Sequence, residues 1–227
     1  MALLLHIDTA LEKAFVGLSR DGALLMELSN PVQYDHAAFV QPAIQQILSD
    51  LPVDINDIDA VGVISGPGSY TGLRVGMASA KGICYALGKP LLAVSTLEVM
   101  AAAAIEAFPG FDAYAPMIDA RRNEVYTAVY NPHREVVLSP HAATLSGDLF
   151  AQAAEYKKIL CSGSGASKWE AMPAVNENAC FEKVDYSGIH LSALLFNSFK
   201  NNDFCNLAYT EPLYVKDFYF AGSEKAK

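Results

Sequence analysis

"YAPMIDARRNEVYTAVY", residues 114–130, decides the fold, because its order repeats an order found near the N-terminus. An apolar run ends in Ile118-Asp119, and after a short polar break a strand-like run, "EVYTAVY", begins at Glu124. Near the start of the chain, "LLLHIDT" (3–9) is also a continuous apolar run ending in Ile-Asp, as a fully buried strand would be. A hairpin follows each. In the first half "KAFVGLS" and "ALLMELS" flank Arg20-Asp21-Gly22, and in the second "EVYTAVY" is followed by "REVVLS". Each half then continues as helix, strand and glycine loop: "AVGVIS" (60–65) into Ser65-Gly66-Pro67-Gly68, and "KILCS" into Ser162-Gly163-Ser164-Gly165. Two matches in one order predict a duplicated unit and an α/β protein of two lobes. Pro109-Gly110 separates lobes at 1–108 and 109–227, with the last segment packing back on the first lobe.

Working outward, residues 34–50 repeat apolar positions helically through Val40, Ile44, Ile47 and Leu48, with Pro42 expected to kink or end the first turns. The helix after Gly72 is expected to stop at Gly88, ahead of Pro90. Ser95 and Glu98 have capping-box spacing for the next helix. The polar tail Gly222 to Lys227 is expected to be disordered.

The chain has 227 residues, 52% hydrophobic and 18% charged, enough to bury a sizeable core without metals or disulfides. Its net charge of -9 argues against gripping nucleic acid unaided. Cys84, Cys161, Cys180 and Cys205 have no Cys-x-x-Cys spacing and read as reduced, buried thiols of a cytoplasmic protein. "ALLLHIDT" is too short to span a bilayer.

"SGPGSYTGLRVG" (65–76) has the look of a phosphate loop but fails both standard patterns. Counting from Gly66 or Gly68, the P-loop's second glycine falls on Thr71 or Leu73, and no lysine follows. The dinucleotide pattern fails because its third glycine arrives one residue late, at Gly72. A two-lobed nucleotide cleft would put Asp8 and Asp119 on its floor, yet Asp8 is followed by Thr9-Ala10 rather than glycine. The helix beyond is more informative. Leu73, Gly76, Met77, Ala80, Cys84 and Leu87 make one apolar face, while Thr71, Val75, Ala78, Ser79, Gly82, Tyr85 and Ala86 make an opposite face without charge. Such a face implies a neighbour, either the helix at 34–50 or a partner subunit.

Other chemistry reads weakly. His36 has Val40 where a second zinc ligand would stand, so it is expected at the surface or at a cap. His6, His133, His141 and His190 have no ligand spacing and read as structural. Ser65, Ser69 and Ser162 lack the Gly-x-Ser-x-Gly elbow. Arg121 and Arg122 would suit a phosphate or carboxylate, or else salt bridges to Asp119 or Glu124.

The stretch "SGPGSYTGLRVGMASAKGICYALGKPLLAVSTLEVMA", with "IDTA", "IDARRNEVY" and "EPLYVK", resembles the TsaB family, also called YeaZ, from end to end. The resemblance implies two ribonuclease-H-like lobes of the actin, sugar-kinase and heat-shock ATPase superfamily. It also implies a non-catalytic partner of the synthase subunit TsaD, which transfers a threonylcarbamoyl group to N6 of the adenosine beside the anticodon in tRNAs reading codons that begin with A. The histidine pair that binds metal in TsaD is absent, as His36 and Val40 show. On this view Asp8, Thr9, Gly66, Gly68, Asp119, Gly163 and Gly165 form a vestigial nucleotide cleft with at most weak or interface-dependent ATP or ADP. His36, Phe39 and the uncharged helix face form a surface for TsaD or a second copy. The small ATPase TsaE is a further implied partner, and tRNA an indirect one. Lys216 stands where the family commonly has arginine, which leaves any bidentate contact there in doubt. Two rival readings are a weak nucleotide-binding regulator and a glycoprotease-like peptidase, the latter lacking any residue set to activate water.

Overall fold

A computed structural model describes residues 1–32, 35–173 and 175–216; the tail from Gly222 lies outside these residues. Two five-stranded sheets repeat one topology. The first contains β1 (Leu3–Asp8), β2 (Ala14–Arg20), β3 (Ala23–Asn30), β4 (Ala60–Gly66) and β5 (Leu91–Ser95), in the order β3-β2-β1-β4-β5. The second contains β6 (Ala113–Asp119), β7 (Glu124–Tyr130), β8 (Val136–Thr144), β9 (Ile159–Ser162) and β10 (Ala179–Glu182), in the order β10-β9-β6-β7-β8. In both, the strand ending in Ile-Asp is central, antiparallel to the hairpin strand that follows it and parallel to the strand that leads to the glycine loop. These are two ribonuclease-H-like lobes of the actin, sugar-kinase and heat-shock ATPase type.

Local chemistry explains most boundaries. Asp21 and Gly22 both have positive φ, 51° and 84°, the two-residue hairpin geometry that Asp-Gly favours. Helix α1 (His36–Asp50) continues past Pro42, which therefore does not end it. Pro42 and Ala38, whose carbonyl loses its amide partner, both lie on the exposed face, where water replaces the missing bond. Helix α2 (Tyr70–Leu87) is capped by Ser69 Oγ, which accepts from Gly72 N, and closes at Gly88 in the left-handed conformation. Helix α3 (Thr96–Ala107) starts after Ser95 without any side-chain cap, so the capping box expected there does not form; Glu98 is instead mostly buried, which raises its carboxyl pKa. The helix expected between β8 and β9 is reduced to a 3₁₀ turn, Ala151–Ala153. Its downstream end is fixed by Asp112 Oδ2, which accepts from the amides of Lys157 and Lys158 at 3.0 Å.

Alternation along β1 sorts the core into layers. Leu3, Leu5 and Ile7 face α1 and α2 with Val40, Ile44, Ile47, Met77 and Cys84. Leu4 faces the other way, with Phe15 and Leu92, toward helix α5 (Gly188–Asn201) and its Leu191, Leu194 and Leu195. Thus α5, which follows the whole second sheet in sequence, packs on the first. Helix α3 lies between the sheets, meeting Ile118 and Ala128 of the second through Leu97, Met100 and Ala101. Helix α4 (Ser164–Glu170) covers the far side, where Trp169 sits edge-on between Phe150 and Phe181 at 5.4 and 5.7 Å. All four cysteines are free; Cys84 and Cys161 are buried as expected, but Cys180 and Cys205 are only half-buried. Among the described residues no helix is long and apolar enough to cross a membrane.

Candidate functional site

The glycine loop after β4 is packed from within. A methyl group at Gly68 would run into the Ala10 carbonyl, and one at Gly72 into the Thr9 carbonyl. Ser69 N donates to Ala10 O at 2.7 Å, and Thr9 Oγ1 donates to Gly72 O at 2.7 Å. Gly66, at φ 118°, lies under the Leu213 carbonyl. These glycines are small because the end of β1 and the C-terminal segment approach them.

Asp8 is wholly buried at the end of β1. Its Oδ1 accepts from Ala10 N at 2.8 Å and its Oδ2 from the Tyr186 hydroxyl at 2.7 Å. Burial raises its pKa to about 6, against the two hydrogen bonds, and nearby Glu27 adds to the rise. Glu27 itself accepts from Gly188 N at 2.6 Å at the start of α5. Two residues earlier on the same side of β1, His6 is wholly buried and burial lowers its pKa to about 3. Its ring lies against Gly17, and Ser192 Oγ, which donates to Gly188 O, stands 3.0 Å from Nε2. That arrangement fits a neutral imidazole carrying its proton on Nε2.

Asp119 is in a different setting. It is partly exposed, and its Oδ1 takes the Lys168 ammonium at 2.7 Å and the Arg121 amide at 2.8 Å; Lys168 foremost lowers its pKa. Gly163, at φ 93°, abuts Met100 and the Met117 carbonyl, and Gly165 abuts Val125 and Met117. The structure therefore gathers Asp8, Thr9, Gly66 and Gly68 in one lobe and Asp119, Gly163 and Gly165 in the other. Among the described residues no hydrogen bond or ion pair joins the two sets.

The outer face of α2 is open. Ala78, Gly82 and Ala86 are exposed, Tyr85 is 84% exposed, and a methyl at Gly82 would meet nothing within 4 Å. Thr71 is exposed, whereas Val75 and Phe39 are half-buried where α1 packs on α2. Ser79 is also half-buried. His36 departs from its expected surface position: it is only 3% exposed, and its Nε2 lies 3.1 Å from the Glu12 carbonyl, tying the start of α1 to the loop after β1.

A strap of residues 205–216 runs beside that face. Cys205 N donates to Leu91 O at 2.8 Å, Lys81 Nζ donates to Ala208 O and Thr210 O at 3.3 and 3.0 Å, and Leu213 N donates to Ser65 O at 2.7 Å. The Arg74 guanidinium lies 4.0 Å from the Tyr70 ring centre, and its Nε donates to the Tyr214 hydroxyl. Lys216 pairs with Glu124 of the second sheet, so the contact at this departure from the family pattern is made by an ammonium. Between strap and helix lies a groove of about 340 Å³ lined by Arg74, Met77, Ala78, Lys81 and residues 210–212 and 214. Tyr209 is 83% exposed on the strap. Sequence reasoning missed Tyr186, Glu27 and the strap aromatics, since all act across more than a hundred residues. Helix α5 was also missed, although Leu191, Leu194 and Leu195 carry the spacing that would have found it.

The duplicated topology and the paired strand-end aspartates define a two-lobed protein of the actin and sugar-kinase class. The sequence profile described as "TsaD: tRNA N6-adenosine threonylcarbamoyltransferase" matches residues 30–221. "tRNA threonylcarbamoyladenosine biosynthesis protein TsaB" of Bacillus subtilis (strain 168) is 35% identical over 127 residues, 56% of this chain and 54% of that protein. The protein of that name from Escherichia coli (strain K12) is 36% identical over 127 residues, with the same coverage of each chain. The chain thus spans about half the length of the curated relatives it matches. A solved structure, "YeaZ from Pseudomonas aeruginosa", superposes with a TM-score of 0.79 at 26% identity, over 94% of this chain and 100% of that one. Another from Pseudomonas aeruginosa, described as having similarity to peptidase YEAZ, gives 0.81 at 25% identity over 95% and 100%. The chain belongs to the TsaD family, in its TsaB, or YeaZ, group.

Proposed function

We propose that this chain is a non-catalytic subunit in the biosynthesis of threonylcarbamoyladenosine in tRNA, docking through α2 onto a TsaD-type transferase that carries the chemistry. The observation that carries the reading is the bare, uncharged face of Ala78, Gly82, Tyr85 and Ala86, framed by the strap with Tyr209. Small residues let a second helix come close, and two outlying tyrosines supply the anchors such interfaces favour. In the absence of TsaD the same face serves a second copy of the chain, and TsaE joins the assembled complex. The internally packed glycine loop and the doubly engaged Asp8 favour a supporting role over nucleotide turnover. Phosphates would have to displace the Thr9 and Ala10 carbonyls from the loop.

The test combines light scattering of the chain with and without TsaD and a tRNA threonylcarbamoylation assay on each fraction. Ala78→Arg with Gly82→Arg should leave the lone chain folded, abolish the heteromeric peak and abolish modification. Capture of TsaD at wild-type levels by that variant would sink the reading.

A further inference from the structure

We propose that Cys84 and Cys205 are a thiol modification site: the pair takes a low-molecular-weight disulfide and passes to an internal disulfide that fastens the strap to the last turn of α2.

The register of strap and helix sets the two cysteines opposite one another. From its far end the strap meets α2 first at Tyr214 with Arg74, then at Thr210 and Ala208 with Lys81. It therefore runs antiparallel to the helix. One turn on from Lys81, on the same side of α2, stands Cys84, and the strap begins there at Cys205.

Both thiols also flank one dipeptide. Cys84 Sγ donates to Pro90 O at 3.4 Å, and Cys205 N donates to Leu91 O at 2.8 Å. Cys205 forms an antiparallel bridge with Leu91, and residues directly opposed in such a pair point to one face. On that face Leu91 and Cys84 are buried in one cluster, with Cys205 packed against it. Burial pushes the Cys84 thiol up to about 11, against a hydrogen bond from the Val61 amide and with nearby Cys205 adding to the rise.

The other two cysteines supply the contrast. Cys161 and Cys180 stand on neighbouring strands, β9 and β10, but the register pairs Cys180 with Leu160 and Cys161 with Phe181. Paired residues share a face and successive residues alternate, so these two sulfurs point to opposite sides of the sheet and cannot join.

The pair divides the chemistry. Cys205 is half-buried between exposed Phe204 and Asn206, while Cys84 is wholly buried and holds its proton more tightly than a free thiol. The Cys205 thiolate therefore attacks first: its sulfur bonds to one sulfur of the incoming disulfide, the bond between the two incoming sulfurs breaks, and one thiol leaves. Cys84 then gives up its proton and attacks the Cys205 sulfur, the mixed disulfide breaks, and the second thiol leaves. The cysteines lose two electrons, the small disulfide gains them, and both cysteine protons end on the released thiols. Oxidation thus acts on the frame of the open α2 face and not on the face itself. The chemistry needs no partner, so failure of the docking face would leave it untouched.

The experiment treats the full folded chain with oxidised glutathione and follows intact mass, peptide masses and hydrogen exchange. The expected product is lighter by two hydrogens, yields a peptide pair joined at Cys84 and Cys205, and reverts with dithiothreitol. Its Cys205 amide should exchange about tenfold more slowly than in the reduced chain, with β1 amides unchanged. Cys84→Ala should stop at a glutathione adduct on Cys205, and Cys205→Ser should leave Cys84 unmodified. Cys180→Ser keeps the pair and should form the same bond as wild type, so these two chains decide the matter even if Cys84→Ala fails to fold. A Cys205 adduct that persists unresolved in the wild-type chain would overturn the proposal. So would a Cys84–Cys205 bond that forms only in denaturant, or the absence of reaction at both residues.

Discussion

The Tyr186 hydroxyl donates to Asp8 across 178 residues of sequence, at 2.7 Å, and closes over a carboxyl group that has no exposure at all. Removing that donor leaves a buried acceptor half-satisfied. Tyr186→Phe should lower stability by about 1.5–3 kcal/mol near neutral pH, the range for hydrogen bonds to charged groups. The loss should shrink below about pH 5, where Asp8 is protonated. Chemical denaturation at the two pH values measures both.

Asp8 and His6 make opposed contributions to the pH dependence. Asp8 has its pKa raised from 3.8 to about 6, so the folded chain holds a proton the unfolded chain has lost, and stability falls as pH rises through that window, by about 3 kcal/mol in all. His6 has its pKa lowered from 6.5 to about 3, so its contribution is complete above pH 6.5 and is lost as pH falls toward 3. Between about pH 4 and 6 the two offset one another. Asp8→Asn should convert a shallow profile into a steady loss of stability on acidification from pH 6.5, and an Asp8→Asn profile parallel to wild type would refute the assignment.

The glycines of the first lobe are not interchangeable. Gly68→Ala and Gly72→Ala each push a methyl into a β1-end carbonyl and should unfold the chain at lower temperature than wild type. Gly82→Ala meets open space in mid-helix and should stabilise the lone chain by about 0.5–1 kcal/mol. Thermal melts of the three variants check the ordering.

Lys81 holds the strap by two carbonyls, those of Ala208 and Thr210. Lys81→Met should leave the sheets intact while loosening residues 205–213. Faster hydrogen exchange at the Cys205 and Leu213 amides, with β1 amides unchanged, is the expected signature.

The duplicated topology was legible because it depends on local patterns, buried runs ending in Ile-Asp and an Asp-Gly hairpin. The glycine loop was legible as a loop but not as one filled by its own chain, since that requires knowing that Thr9 and Ala10 lie beneath it. That α1 continues past Pro42 was not legible, because propensity does not say which face of a helix looks into water. His36 misled similarly, its burial being set by the Glu12 carbonyl rather than by any neighbour in sequence. The charge-free face of α2 was found from the wheel, yet its division between α1 and open solvent needed the packing of Phe39 and Val75.

The placement of α5 bears on the order in which the molecule is made. A nascent chain released only as far as Ala107 would carry a first sheet with α1 and α2 on one side and no α5 on the other, leaving Leu4, Phe15 and Leu92 without the leucines that cover them. Completing that layer must wait for the ninety or so residues up to Asn201, roughly 5 to 20 seconds of synthesis, during which the whole second lobe emerges. The lobe translated first is thus the one finished last, and a gene cut between the two halves should yield an insoluble N-terminal fragment rather than a free-standing domain.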